Sequence, residues 1–225
     1  MSRAPFVARE HEFEPMPGLP EVLPADERLL WQGAPDWRVL ALRVFHVRKV
    51  AIYFALLLLW QGASLASDGT ELATIARALG WSAALAGTCI GLLLALARWT
   101  AATTAYTLTD KRMVMRIGIV LTVAYNLPLR RIEAADLHAA GRGCHDIVLT
   151  LEPGTRIAWL HLWPHVRPWR LARPQPMLRA LPDGETVAAL LTRVWADANG
   201  TPARAAAAPE RALGPRPVRI AAQQG

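Results

Sequence analysis

Val50 to Ala66 (VAIYFALLLLWQGASLA) and Ala78 to Ala97 (ALGWSAALAGTCIGLLLALA) contain no charged residue. At a helical rise of about 1.5 Å per residue, each run approaches the hydrocarbon thickness of a bilayer, about 30 Å, and a buried soluble helix rarely needs so long an uncharged stretch. The pair, joined by a short polar loop, predicts a transmembrane helical hairpin at about 50–66 and 78–98. A buried hairpin in a soluble protein is the competing reading.

The flanks orient the hairpin. Arg38, Arg43, Arg48 and Lys49 precede the first span, and Arg98, Lys111, Arg112 and Arg116 follow the second, whereas the loop carries Asp68 and Glu71 against Arg77. The positive-inside rule then puts both ends of a multi-pass chain in the cytoplasm. Trp60 and Trp81 fall near the loop-side interface and Trp99 near the other, as amphipathic rings prefer.

The chain has 225 residues, is 53% hydrophobic, and carries a formal charge of +7. Outside the hairpin there is length for one small domain plus flexible ends. The positive excess is dispersed rather than gathered with aromatics into a patch, which argues for an anionic inner leaflet and against nucleic acid. Cys89 lies inside the second span and Cys144 in an expected turn, so a disulfide does not fit and a reducing compartment does. Because the first 40 residues are polar and proline-rich, no cleavable leader is expected and the first span serves as its own insertion signal.

Residues 1–37 read as a cytoplasmic arm. Pro15, Pro17, Pro20 and Pro24 mix there with Glu10, Glu12, Glu14 and Glu21, a composition that buries little. Glu27 to Gly33 (ERLLWQG) suits a short strand or a helical turn, and Trp31 and Trp37 flank the turn signal Gly33-Ala34-Pro35. His46, at the edge of the first span, has the chemistry to ligate the magnesium of a chlorophyll-type pigment; simple solvation is the plainer reading.

In the second span Ala83, Gly87, Gly91 and Ala95 recur every four residues and include a GxxxG. Small residues on one face let another helix approach closely. The partner is either the first span or another chain, a second copy included. Leu92, Leu93, Leu94 and Leu96 are expected to face lipid.

Beyond Thr100 the period becomes two. Ala105 to Thr109, a turn at Asp110-Lys111, and Arg112 to Ile117 form an expected hairpin; Ile119 to Leu129, Arg131 to Leu137, His145 to Leu151 and Arg156 to Leu162 follow as strands. Reading Met113 to Leu129 as a third span is disfavoured by Arg116, Gly118, Asn126 and Pro128. Asp183 to Ala198 forms an amphipathic helix through Val187, Leu190, Leu191, Val194 and Trp195, with Asp183 as cap and Gly200 beyond its end. The expected architecture is an α+β membrane protein: a two-helix hairpin over 38–100, an antiparallel β-domain capped by a C-terminal helix over 101–198, and a disordered tail over 199–225.

Leu160 to Trp169 (LHLWPHVRPW) is the densest functional candidate. His161 and His165 stand four apart, but Pro164 disrupts the helix a metal pair needs and no carboxylate is near. Two readings remain open: a rim of His161, Trp163, His165, Arg167, Trp169 and Arg170 that grips lipid head groups or a partner loop, or a Trp-rich seam that closes the core. No Gly-rich phosphate loop, GxSxG, HExxH or CxxC occurs, and Asp110, Glu133, Asp136 and Asp146 form no carboxylate pair, which argues against an enzyme. No metal or other cofactor is expected.

Tyr106 to Arg116 (YTLTDKRMVMR) with Asn126 to Ile132 (NLPLRRI) resembles the bacterial pleckstrin-homology-like membrane domain. Over about residues 17 to 195 the segments Pro17 to Leu19 (PGL), Leu29 to Pro35 (LLWQGAP), Phe45 to Phe54 (FHVRKVAIYF) and Leu160 to Arg170 (LHLWPHVRPWR) look like the PuhB family of photosynthetic complex assembly proteins from purple bacteria. That resemblance implies a PH-like fold, residence in the inner (intracytoplasmic) membrane, and a part in building the reaction centre and its core light-harvesting antenna. Reaction-centre and antenna subunits and membrane lipids are then the expected partners.

Overall fold

A computed structural model of the chain describes residues 23–118, 122–154 and 157–200. Most of the expected arm (1–22), nearly all of the expected tail (201–225), and residues 119–121 and 155–156 lie outside the described residues.

Two helices dominate one end. Helix α2, Val47–Ser67, and helix α3, Leu72–Thr103, pack as an antiparallel hairpin, and both are long and apolar enough to cross a membrane. Helix α3 is longer than its uncharged core at both ends. Its 32 residues span about 48 Å, against about 31 Å for α2. Its excess over α2 lies at the end that carries the sheets, where Ala97 and Ala101 pack in one cluster with Val47, the first residue of α2. Thr104 alone separates α3 from the next strand.

Among the described residues, seven strands form two antiparallel sheets. The first orders β1 (Leu29–Gly33), β2 (Ala105–Thr109), β3 (Arg112–Ile117) and β4 (Val123–Pro128); the second orders β5 (Ile132–Gly141), β6 (Cys144–Leu151) and β7 (Met177–Leu181). The described parts of Met113 to Leu129, the stretch weighed as a third span, instead hold β3 and β4, two paired strands of one sheet. Glu27 to Gly33, ambiguous in sequence and assigned to the arm, supplies edge strand β1, with Trp31 opposite Leu108 and Gly33 opposite Tyr106. Period-two alternation turns Tyr106, Leu108, Met113 and Met115 into a core shared with Ile147, Leu149, Leu178 and Leu181 of the second sheet.

Helix α5, Gly184–Asn199, closes that core with Val187, Leu191, Val194 and Trp195. Trp195 Nε1 also donates to the Ile132 carbonyl at 2.7 Å, which satisfies the polar atom of a buried indole. Leu190 is only partly buried against the same cluster. Gly200, at φ +65°, ends the helix in the left-handed region that glycine adopts without strain. Asp183 holds the N-cap position but makes no side-chain cap bond. At Gly184 a Cβ would stand 2.4 Å from His145 Cβ, so only glycine lets the helix start so close to β6.

Two expectations fail here. Over the described residues 157–162 the strand expected at Arg156 to Leu162 is not formed: Trp159–Leu162 is a single helical turn, α4, whose Leu162 is buried against Ile117 and Val166. Leu93 and Leu96 do not face outward but pack with the cluster around α1 (Trp37–Arg43), while Leu92 and Leu94 are exposed.

Helix α1 was hidden in the basic flank. Asp36 caps it by accepting from the Arg38 and Val39 amides at 2.7 and 3.4 Å. Val39, Leu40 and Ala41 fill a crevice between Ala97 and Ala101 of α3 and Ala140, Cys144 and Ala180 of the second sheet. The Asp36 amide bonds the Ala180 carbonyl at 2.9 Å, and Arg43 donates to the Ala139 carbonyl at 3.0 Å. The wedge leaves hairpin and sheets no flexible linker.

Candidate functional site

Where α3 enters the first sheet, a chain of hydrogen bonds runs through the protein interior. Thr104 donates to the Thr100 carbonyl at 2.7 Å, so its oxygen is left to accept from His165 Nε2 at 3.1 Å. The Tyr106 hydroxyl accepts the Arg179 amide at 3.1 Å and therefore spends its one proton on His165 Nδ1, 2.6 Å away. Every bond has one consistent direction, which assigns the neutral tautomer with hydrogen on Nε2. Burial, and then the nearby Arg179 guanidinium, drive the His165 pKa down to about 3. Burial likewise pushes the Tyr106 hydroxyl well above its usual value. This network joins α3, β2, β7 and the segment after α4.

It also places His165. That residue, expected on a rim, is fully buried, and both ring nitrogens are engaged, so it neither meets a partner nor pairs with His161 for a metal. His161 itself is exposed on α4. The seam reading therefore describes His165.

The other rim residues do not form one surface. Arg167 is half-buried at the base of a loop: its amide donates to the Gln175 carbonyl at 3.0 Å, its guanidinium to Gln175 Oε1 at 3.1 Å, and its carbonyl accepts Trp159 Nε1 at 3.4 Å. Trp169 and Arg170 sit exposed on the tip of that loop, beyond the bridge between Val166 and Pro176. Arg170 lines a cleft of about 730 Å³ with Glu133, Glu152 and Arg173, beside Thr150 and Leu151. This is the opposite end of β6 from Cys144, where α1 packs. Trp163 turns elsewhere: its ring meets Phe45 edge-on, with centroids 5.9 Å apart.

The small-residue ridge is open. Ala83, Gly87 and Gly91 are exposed and Ala95 half-buried, and apart from the adjoining residues and the helix's own backbone no heavy atom lies within 4 Å of where a Cβ would stand on Gly87 or Gly91. The contact between α2 and α3 leaves that face uncovered. His46 is exposed at the start of α2 in a left-handed backbone conformation, and its side chain makes no capping bond.

Sequence reasoning missed Thr104 and Arg179 as members of the buried network. Their partners lie tens of residues away in the chain, and no local spacing signals them.

A hairpin of two helices long and apolar enough to cross a membrane, joined to two small antiparallel sheets and a closing helix, is an α+β protein with a PH-like domain. The bacterial PH domain family matches residues 50–194, from the start of α2 into α5, and the chain belongs to that family. It is also 34% identical over 184 residues, 81% of this chain and 86% of the relative, to an uncharacterized 23.7 kDa protein in the puhA 5' region of Rhodobacter capsulatus. No solved structure matches the chain.

Proposed function

We propose that the protein is a non-enzymatic assembly factor of the PuhB type, acting on the photosynthetic reaction centre and core light-harvesting complex of purple bacteria. In this reading α2 and α3 span the inner (intracytoplasmic) membrane with both chain ends in the cytoplasm, and the sheets hold cytoplasmic loops of the client. The observation that carries the reading is the open ridge of Ala83, Gly87, Gly91 and Ala95. A smooth groove on a lipid-facing helix accepts a client helix through close van der Waals contact. The relative's position beside a reaction-centre gene supports the choice of client. Such a factor must favour intermediates over the finished complex; an antenna ring that covers the same client face supplies that difference.

The test is the Gly87→Leu/Gly91→Leu variant, tagged and drawn from phototrophically grown cells in gentle detergent. Wild type should bring reaction-centre subunits without a full antenna, and the variant should insert normally yet recover fewer of them and lower reaction-centre yield. Unchanged recovery and yield would overturn the helix-packing mechanism. Pigment recovered without any reaction-centre subunit, and lost on His46→Ala, would replace it with pigment delivery, since His46 is exposed just before α2. Recovery of a second copy alone would make the ridge a homodimer contact.

A further inference from the structure

Helix α4 is one turn with apolar side chains on both sides. Leu162 faces inward against Ile117 and Val166, where Trp159 also packs. On the outer side Leu160 is 74% exposed and Trp163 45% exposed. The Trp163 amide bonds the Leu160 carbonyl at 3.3 Å, so the two project from neighbouring positions. A turn facing only water would carry polar residues there.

Its surroundings say what covers it. Trp163 meets Phe45, which lies two residues before the start of α2. The outer face of α4 is therefore level with the first turn of a helix whose length matches a bilayer core and which exposes Ile52, Tyr53 and Leu56 further along. Trp99 is exposed near the same end of α3. Tryptophan concentrates at that depth because its ring is apolar and its N–H is polar. Arg48 and Lys49, exposed on the first turn of α2, add attraction for anionic head groups.

We propose that α4 is a third, non-spanning membrane contact. Leu160 and Trp163 lie in the head-group region of the bilayer around α2 and, with the α1 wedge, set the tilt of the sheets against the membrane. The partner is an anionic lipid surface, and the inference rests on the spanning reading of α2 and α3. Two side chains are too small an anchor for a protein interface of standard size, but they suffice for a domain already tethered by two helices.

The test uses full-length protein in vesicles of phosphatidylcholine and phosphatidylglycerol. In a Cys89→Ser/Cys144→Ala background, nitroxide is attached through Leu160→Cys, Leu56→Cys or Glu185→Cys, and relaxation by oxygen is compared with relaxation by a water-soluble nickel chelate. The oxygen preference at position 160 should exceed that at 185 several-fold and fall below that at 56. Equal water exposure at 160 and 185, with 56 still in lipid, overturns the α4 contact and spares the spanning hairpin. Water exposure at 56 overturns both, and protection of 160 from both reagents overturns the lipid partner in favour of a protein. A second reading needs no cysteine: the emission lost in Trp163→Phe should be quenched by lipids brominated near the head group, and its persistence unquenched overturns the proposal.

Discussion

Nδ1 of His165 lies 2.6 Å from the hydroxyl of Tyr106, with both residues fully buried and 59 positions apart in the chain. Because the same hydroxyl accepts the Arg179 amide, one phenolic oxygen ties the first sheet to the second and to the segment behind α4. The network is neutral and closed, so it contributes rigidity rather than proton exchange.

Removing that oxygen should therefore hurt out of proportion to its size. Tyr106→Phe leaves the Arg179 N–H and His165 Nδ1 without partners, and each buried unmade bond costs about 1–3 kcal/mol. The thermal midpoint of the full-length protein in micelles, followed by near-ultraviolet circular dichroism, should fall by several degrees. An unchanged midpoint would show that the hydroxyl is not the hub.

Acid should act through the imidazole. An exposed histidine titrates near 6.5, whereas folding lowers His165 to about 3. Between those values the unfolded chain binds a proton that the folded chain refuses, so stability rises with pH across the window and this group adds no slope above it. Moving from pH 6.5 to 5 should cost about 2 kcal/mol through this group. In His165→Gln that part of the pH slope should vanish, even if the variant is less stable at pH 7; an unaltered slope would assign acid sensitivity elsewhere.

The parts legible in sequence are those with a local signature. Uncharged length exposes α2 and α3, the Asp110-Lys111 turn and alternating residues expose β2 and β3, and Val187, Leu191, Val194 and Trp195 expose α5. Strand β7 carries no such mark: Met177, Leu178, Ala180 and Leu181 are all buried, so alternation disappears in a five-residue strand. Helix α1 is masked by the arginines around it, although Asp36 is a cap signal. The stretch around His165 looks like a surface because it is rich in His, Trp, Pro and Arg. Its fate depends on Thr104 and Tyr106, about 60 residues earlier, which no periodicity can reach.

Arg112 grips Glu27 with both arms, at 2.7 and 2.9 Å, while the Glu27 side chain is only 3% exposed. This pair fastens the segment before β1 to β3. Arg112→Ala strands a buried carboxylate and should cost about 3–5 kcal/mol. Adding Glu27→Ala removes the orphaned charge, so the double variant should be more stable than Arg112→Ala alone. A double-mutant cycle by chemical denaturation checks this, and simple additivity would show that the two groups do not interact.

The α1 wedge makes the last prediction. Ala97 is completely buried where α1 crosses α3, and the facing Leu40 is equally buried. Ala97→Leu must push three methyl or methylene-sized groups into filled space, at about 1–3 kcal/mol. The cheapest relief is to lift α1, because α3 is held by its own backbone ladder and by α2. Trypsin, which cuts after the arginines of α1, should then cleave at Arg38 and Arg43 several-fold faster in Ala97→Leu than in wild type, read by mass spectrometry of micellar protein. Ala83→Leu, on the open face of the same helix, should leave cleavage unchanged. If Ala97→Leu stays as protected as wild type, α1 is not seated in the crevice, and the rigid junction between hairpin and sheets would have to be given up with it.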